Sequence, residues 1–333
     1  METEFHEHDE ISGLSKKGYL LLKENKITDA IVCFSRILTI EENNNYALVG
    51  MGDAIRKQGQ FPNAVLFYQR CLVHHPGNNY ALFGLAECYK ALNEYHKAIE
   101  IWEQYLEYDG RNITVLTRIA DAYRKIRKYD QSREVYLKVL EMDPRNPYAI
   151  IGLGNLHYDF NEFREAMVYW KKMLAANNEN VDIRVLTSIG NCYRKINSYK
   201  KGIGFFKRAL AKDTHNFYAL FGLADCYRGL NKQNLSLKYW NRILDEDSFN
   251  KVILTRAGDA YRSLNEPDKA VEYYRRALDA EFYSYAALGL ALVAKVQGRY
   301  DEAIESLRLL IQQDPCNKRL YIELTECQSK QNK

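Results

Sequence analysis

Tyr218-Ala219-Leu220-Phe221-Gly222-Leu223-Ala224-Asp225-Cys226-Tyr227-Arg228 has close relatives along nearly the whole chain. YALFGLAECYK begins at Tyr80 and TVLTRIADAYR at Thr114, while RVLTSIGNCYR begins at Arg184 and VILTRAGDAYR at Val252. Equivalent residues stand 34 apart in most places. A fixed period of this length is the mark of a repeat architecture, in which each unit buries its apolar face against its neighbours.

Working outward, the period places nine repeats at 11–44, 45–78, 79–112, 113–146, 147–180, 183–216, 217–250, 251–284 and 284–317. Position 8 of each repeat is Gly or Ala: Gly18, Gly52, Ala86, Ala120, Gly154, Gly190, Ala224, Gly258 and Ala291. Position 20 is Ala, Ser or Gly throughout, from Ala30 to Ala303. Two small residues 12 apart, each inside an apolar pattern of helical period, let the two antiparallel helices of a hairpin approach closely. Position 24 is aromatic from Phe34 through Tyr68, Trp102, Tyr136, Trp170, Phe206 and Trp240 to Tyr274, and only Leu307 breaks the series. Position 28 is Leu in eight repeats and Ile311 in the ninth. Helices of about 14 residues, ~21 Å long, are too short to stand alone and rely on their neighbours. The spacing lengthens through 177–182, where a hinge is expected, and shortens by one residue between the last two repeats.

The composition agrees with a long helical protein: 47% apolar residues and 26 Tyr, with only 6 Pro. Residues 1–10 are polar and acidic and are expected to form a disordered tail, and no long apolar run is present. The seven cysteines follow the repeat, three of them just before Tyr89, Tyr193 and Tyr227, which suits packing rather than a disulfide framework. A formal charge of +4 with interspersed signs makes no polybasic tail, so nucleic acid is not expected as a partner. A cytoplasmic protein with no membrane segment is expected. Residues 318–333 predict a helix capping the last hairpin, with Leu320, Ile322 and Leu324 towards the stack.

Small residues at 8 and 20, the aromatic at 24, Tyr at position 11 in five repeats and Pro near position 32 resemble the tetratricopeptide repeat, and the likeness covers about 307 of the 333 residues. The resemblance implies an all-α, right-handed superhelical solenoid whose first helices line a concave groove and whose second helices form the back.

No His/Cys grouping has the spacing of a zinc site, and no phosphate loop, nucleophile elbow or HExxH is present. No enzyme, cofactor or metal is expected. One polar pattern is regular: an acid or Asn at position 9 followed three residues later by a base, as in Asp53/Arg56, Asp121/Arg124, Asn191/Arg194, Asp225/Arg228 and Asp259/Arg262. That spacing sets both on one face of the first helix, where they serve as an ion-pair ladder, as a ligand-facing row, or as both. Position 5 is never lysine, so the family's clamp for a chaperone carboxylate tail is not expected.

The expected function is a non-enzymatic scaffold that binds an extended peptide or a partner helix in the groove, the ligand being acidic or carboxylate-bearing. The candidate contacts are Tyr80, Phe83, Arg124, Tyr148, Asn155, Asn191, Arg194, Tyr218, Phe221, Arg228 and Arg262. Arginine pairs with carboxylates, asparagine holds backbone, and tyrosine gives contact area at low entropy cost. An RNA-binding helical repeat and a regulatory sensor are the alternatives. The first would need a continuous basic groove, and the second lacks a helix-turn-helix at its start.

Overall fold

A computed structural model describes residues 2–176, 182–280 and 283–331, and all regular structure among them is helical. The chain divides into two compact halves, Met1–Glu162 and Phe163–Lys333. The N-terminal half holds α1 (Glu2–Lys23), α2 (Ile27–Ile40), α3 (Asn45–Lys57), α4 (Phe61–His74), α5 (Asn79–Ala91), α6 (Tyr95–Tyr108), α7 (Ile113–Lys125), α8 (Tyr129–Met142) and α9 (Pro147–Asp159). The C-terminal half holds α10 (Phe163–Ala176), α11 (Ile183–Lys195), α12 (Tyr199–Lys212), α13 (Phe217–Gly229), α14 (Gln233–Leu244), α15 (Lys251–Ser263), α16 (Pro267–Ala280), α17 (Ser284–Val296), α18 (Tyr300–Gln313) and α19 (Lys318–Gln331).

Local chemistry fixes each hairpin. The turn between its helices needs one residue in the left-handed region, and position 15 supplies it nine times. Asn25, Asn93, Arg127, Asn161, Asn197, Asn231 and Asn265 lie at φ of 58 to 64°, and Gly59 and Gly298 at 78 and 76°. Glycine and asparagine tolerate that conformation best, so Arg127 is the exception. Between hairpins, Asn44, Asn78, Asn112, Asn146, Asn216 and Asn250 each cap the following helix, accepting a backbone N–H at 3.0 to 3.1 Å.

The two helices of a hairpin meet at positions 8 and 20. Ser132 Oγ donates to the carbonyl of Ala120 at 2.8 Å, and Ser236 Oγ to that of Ala224 at 2.8 Å. A Cβ on Gly202 would lie 3.1 Å from the carbonyl oxygen of Gly190. No side chain longer than serine's fits against backbone at that range. The aromatic residues at position 24 fill the space between repeats: Phe34, Tyr68, Trp102, Tyr136, Phe206, Trp240 and Tyr274 are fully buried.

Two expectations meet a different outcome, and a third lies almost wholly outside the described residues. Helix α1 starts at Glu2, where a disordered tail is expected. In α19, Leu320 and Cys327 are buried but Ile322 is 58% exposed, so Ile322 does not face the stack. Leu320, Leu324 and Cys327, spaced by four and three, repeat the register of a first helix, and Ile322 falls on the opposite side. Of the lengthened joint at 177–182, only Asp182 lies within the described residues, where it caps α11.

Candidate functional site

The acid at position 9 has two kinds of partner, chosen by the aromatic at position 24. Where that aromatic is Tyr, its hydroxyl donates to the acid of its own repeat: Tyr68 to Asp53 at 2.7 Å, Tyr136 to Asp121 at 2.6 Å and Tyr274 to Asp259 at 2.8 Å. Burial and the facing carboxylate push all three phenols up. The base at position 12 closes the triad, with Arg56 3.0 Å from Asp53 and 3.2 Å from the Tyr68 hydroxyl. These rows are internal ladders.

Tryptophan has no hydroxyl, and its repeats behave differently. Trp102 and Trp240 are followed, at position 6 of the next repeat, by Arg118 and Arg256, which reach back to the acid: Arg118 to Glu87 at 3.3 Å and Arg256 to Asp225 at 3.2 Å. After Phe or Tyr, position 6 is always glycine, because the ring covers that backbone. A Cβ would lie 2.4 Å from the ring at Gly50 and Gly84, 2.3 Å at Gly152, 2.2 Å at Gly222 and 2.4 Å at Gly289. Trp170 is followed by Ser188.

Asp225 on α13 is the most crowded of these acids. Its side chain is 7% exposed, and it takes Arg194 of α11 at 2.6 Å, Arg228 of its own helix at 2.7 Å and Arg256 of α15 at 3.2 Å. Three cations share one anion because position 9 of the preceding repeat is Asn191, not an acid. Asn191 accepts only one bond from Arg194, at 3.2 Å. Burial opposes charge on Asp225, yet Arg228, then Arg256 and Arg194, hold its carboxyl below the usual range. Burial lowers the pKa of Arg256, and Arg228 and Arg194 lower it further. The Arg256 guanidinium lies over Phe221 at 5.1 Å and Trp240 at 5.8 Å, which desolvates one face of it.

Arg228 also lines a cavity of about 360 Å³ with Asp259, Arg262, Tyr285, Leu288 and Arg319. Arg262 is held by Asp259 at 3.5 Å, whereas Arg319 forms no ion pair among the described residues. A cavity in the same register of the N-terminal half, about 410 Å³, is lined by Asp53, Arg56, Asn79, Tyr80, Phe83 and Tyr105. There the single arginine is matched by its own acid, so the two cavities differ in charge.

The eleven candidate residues fall on both halves. In the N-terminal half, Tyr80 and Tyr148 are 79% and 74% exposed, Phe83 and Asn155 are half-buried, and Arg124 is held between Asp121 at 3.4 Å and Asp159 at 2.5 Å. In the C-terminal half, Tyr218 is 68% exposed, and Phe217 links it to Phe221 through ring contacts of 5.7 and 6.0 Å. Asn191, Arg194, Phe221 and Arg228 gather at Asp225, and Arg262 lines the cavity beside them. Sequence reasoning missed Arg256 and Arg319. The alternation at position 6, glycine after Phe or Tyr and arginine after two of the three Trp, is the signal that could have found Arg256.

Six of the seven cysteines are buried. Burial pushes the thiols of Cys71 and Cys88 up to about 11 and those of Cys192 and Cys226 up to about 12, so they pack as small apolar groups. No group of His, Cys, Asp and Glu among the described residues could hold a metal ion, and no described helix is long and apolar enough to cross a membrane.

Stacked α-hairpins whose first helices carry a regular row of acids and arginines define a helical-repeat protein. Family models described as tetratricopeptide repeat match residues 117–180 and 255–317, and another matches 218–248. The model of the anaphase-promoting complex, cyclosome, subunit 3 matches residues 57–139. The chain is a tetratricopeptide repeat protein. No curated protein matches it. Among solved structures, Cut9–Hcn1, an APC/C hetero-tetramer, is similar at 15% identity and a TM-score of 0.55 over 90% of this chain, which spans 59% of that one. A tetratricopeptide repeat protein from Parabacteroides merdae ATCC 43184 is similar at 16% identity and a TM-score of 0.45, over 86% of this chain and 99% of that one. MamA is similar at 23% identity and a TM-score of 0.47, over 52% of this chain and 93% of that one. At these identities the likeness is one of fold.

Proposed function

We propose that the protein is a non-enzymatic, cytoplasmic interaction scaffold whose C-terminal half binds an acidic peptide segment at the arginines around Asp225. The observation that carries this reading is the sharing of one buried carboxylate by Arg194, Arg228 and Arg256. The cluster keeps an excess of positive charge in fixed geometry, and each guanidinium retains donors for a second carboxylate. Arg262 and Arg319 extend the cationic row along the neighbouring cavity, whose Leu288 and Tyr285 give apolar contact to the ligand. Exposed Tyr218 adds a rigid aromatic at the edge of the same face.

The test is calorimetric titration of the full chain with a labelled Asp/Glu-rich peptide and with its Asn/Gln counterpart. The acidic peptide binds and the amide peptide does not, and added salt weakens the complex. Arg194→Ala and Tyr218→Ala each cost more than ~1 kcal/mol, while Lys238→Ala and Arg242→Ala on α14 leave affinity nearly unchanged. Equal binding of both peptides, or loss only with the α14 pair, would overturn the assignment.

A further inference from the structure

Three second helices of the C-terminal half, α10, α12 and α14, carry a positive charge that the acidic-peptide reading does not use. Helix α12 has five basic residues, Lys200, Lys201, Lys207, Arg208 and Lys212, and no Asp or Glu in its 14 residues. Helix α10 adds Arg164, Lys171 and Lys172 against one acid, and α14 adds two bases and no acid. In the N-terminal half two of the corresponding helices have the opposite balance: α6 sets Glu100, Glu103 and Glu107 against Lys97, and α8 sets three acids against two bases. A net charge of only +4 for the whole chain thus conceals a concentrated cationic face.

The geometry of that face limits what it can hold. Lys200, Gly204, Lys207 and Ala211 are all exposed and, spaced by four, three and four, form the outer crest of α12. A Cβ on Gly204 would meet nothing within 4 Å, so small residues separate the lysines. Neither Lys200 nor Lys207 has an acidic partner among the described residues. The rings between the bases are already engaged: Tyr193 stacks on Phe205 at 5.6 Å, Lys171 and Lys201 lie over Tyr193, and Arg208 covers Phe205. The rings of Tyr193 and Phe205 are therefore not free for a nucleobase to stack on, as single-stranded nucleic acid would need. A lysine crest without an apolar pocket also suits a protein partner poorly, since lysine is depleted at the centre of protein interfaces. A layer of anionic headgroups needs neither, because its attraction for clustered lysines is diffuse.

We propose that the crests of α10 and α12 form a peripheral docking surface for an anionic lipid bilayer, with exposed Val168 of α10 at the same register as Gly204. The site is separate from the arginines at Asp225, so either can fail without the other. The full chain is mixed with phosphatidylcholine vesicles, with and without phosphatidylserine, and sedimented at low and high salt. It should sediment only with the phosphatidylserine vesicles at low salt. The charge-reversed Lys200→Glu/Lys207→Glu variant should lose at least ~10-fold in partitioning, and the neutral Lys200→Ala/Lys207→Ala variant should fall between, both with unchanged helical circular dichroism. Arg194→Ala should sediment as wild type. Absence of binding to phosphatidylserine vesicles, insensitivity to charge reversal, or loss on Arg194→Ala would overturn the proposal. Tighter binding of a single-stranded oligonucleotide through the same lysines would overturn it too.

Discussion

The ring of Tyr68 covers the backbone of Gly84 so closely that a Cβ on Gly84 would sit 2.4 Å from it. An alanine in place of glycine inside an exposed helix normally stabilises by about 1 kcal/mol. Here the sign reverses, because the fully buried Tyr68 has no space into which to retreat. Gly84→Ala is expected to destabilise by about 1 to 3 kcal/mol in urea unfolding, and Gly222→Ala beneath Phe206 likewise. Stabilisation by either would show that the ring yields.

Ala98 at position 20 is fully buried, in the register where Ser132 and Ser236 touch a facing carbonyl. Ala98→Leu should therefore overpack the third hairpin and cost about 1 to 3 kcal/mol. Unchanged denaturation midpoints would place this alanine away from the helix contact.

The turn residues offer a test that involves no packing. Asn161 lies at φ 64°, where a residue with an ordinary Cβ pays about 1 kcal/mol. Asn161→Ala should lower stability by about that amount and Asn161→Gly should be close to neutral. Equal effects would mean that the asparagine side chain, not its backbone conformation, matters.

For Asp225 the dependence on pH has a definite direction. The arginines hold its carboxyl below the usual range, so its contribution is present above the unfolded value near ~3.9 and is lost as pH falls through the lower folded value. Wild type should lose stability in that acid window more steeply than Asp225→Asn. At neutral pH the variant, with three arginines left around a neutral amide, should be less stable by about 3 kcal/mol. Parallel acid titrations of the two proteins would refute the assignment.

Much of the fold is legible in the sequence because positions 8, 20 and 24 report on how closely backbone meets backbone. Gly18, Ala98 and Trp102 announce that demand by size alone. The ligand-facing chemistry is harder to read, since it depends on atoms that residue types do not display. Arg256 finds Asp225 only because Trp240 lacks the hydroxyl that Tyr68 gives Asp53, and because Asn191 leaves Arg194 without an acid of its own. Ile322 misleads for a simpler reason: on so short a terminal helix, two neighbouring apolar phases compete, and the one containing Leu320, Leu324 and Cys327 wins.

The bonds of Asp225 run to the sixth, seventh and eighth repeats at once. In a linear array, stability passes from each unit to the next through its interface, and ends fray first. A carboxylate that ties three successive units together makes partial melting costlier than complete melting over that span. Amide exchange in α11, α13 and α15 should then follow a single opening free energy, and loosening any one of the three arginines would be felt two repeats away.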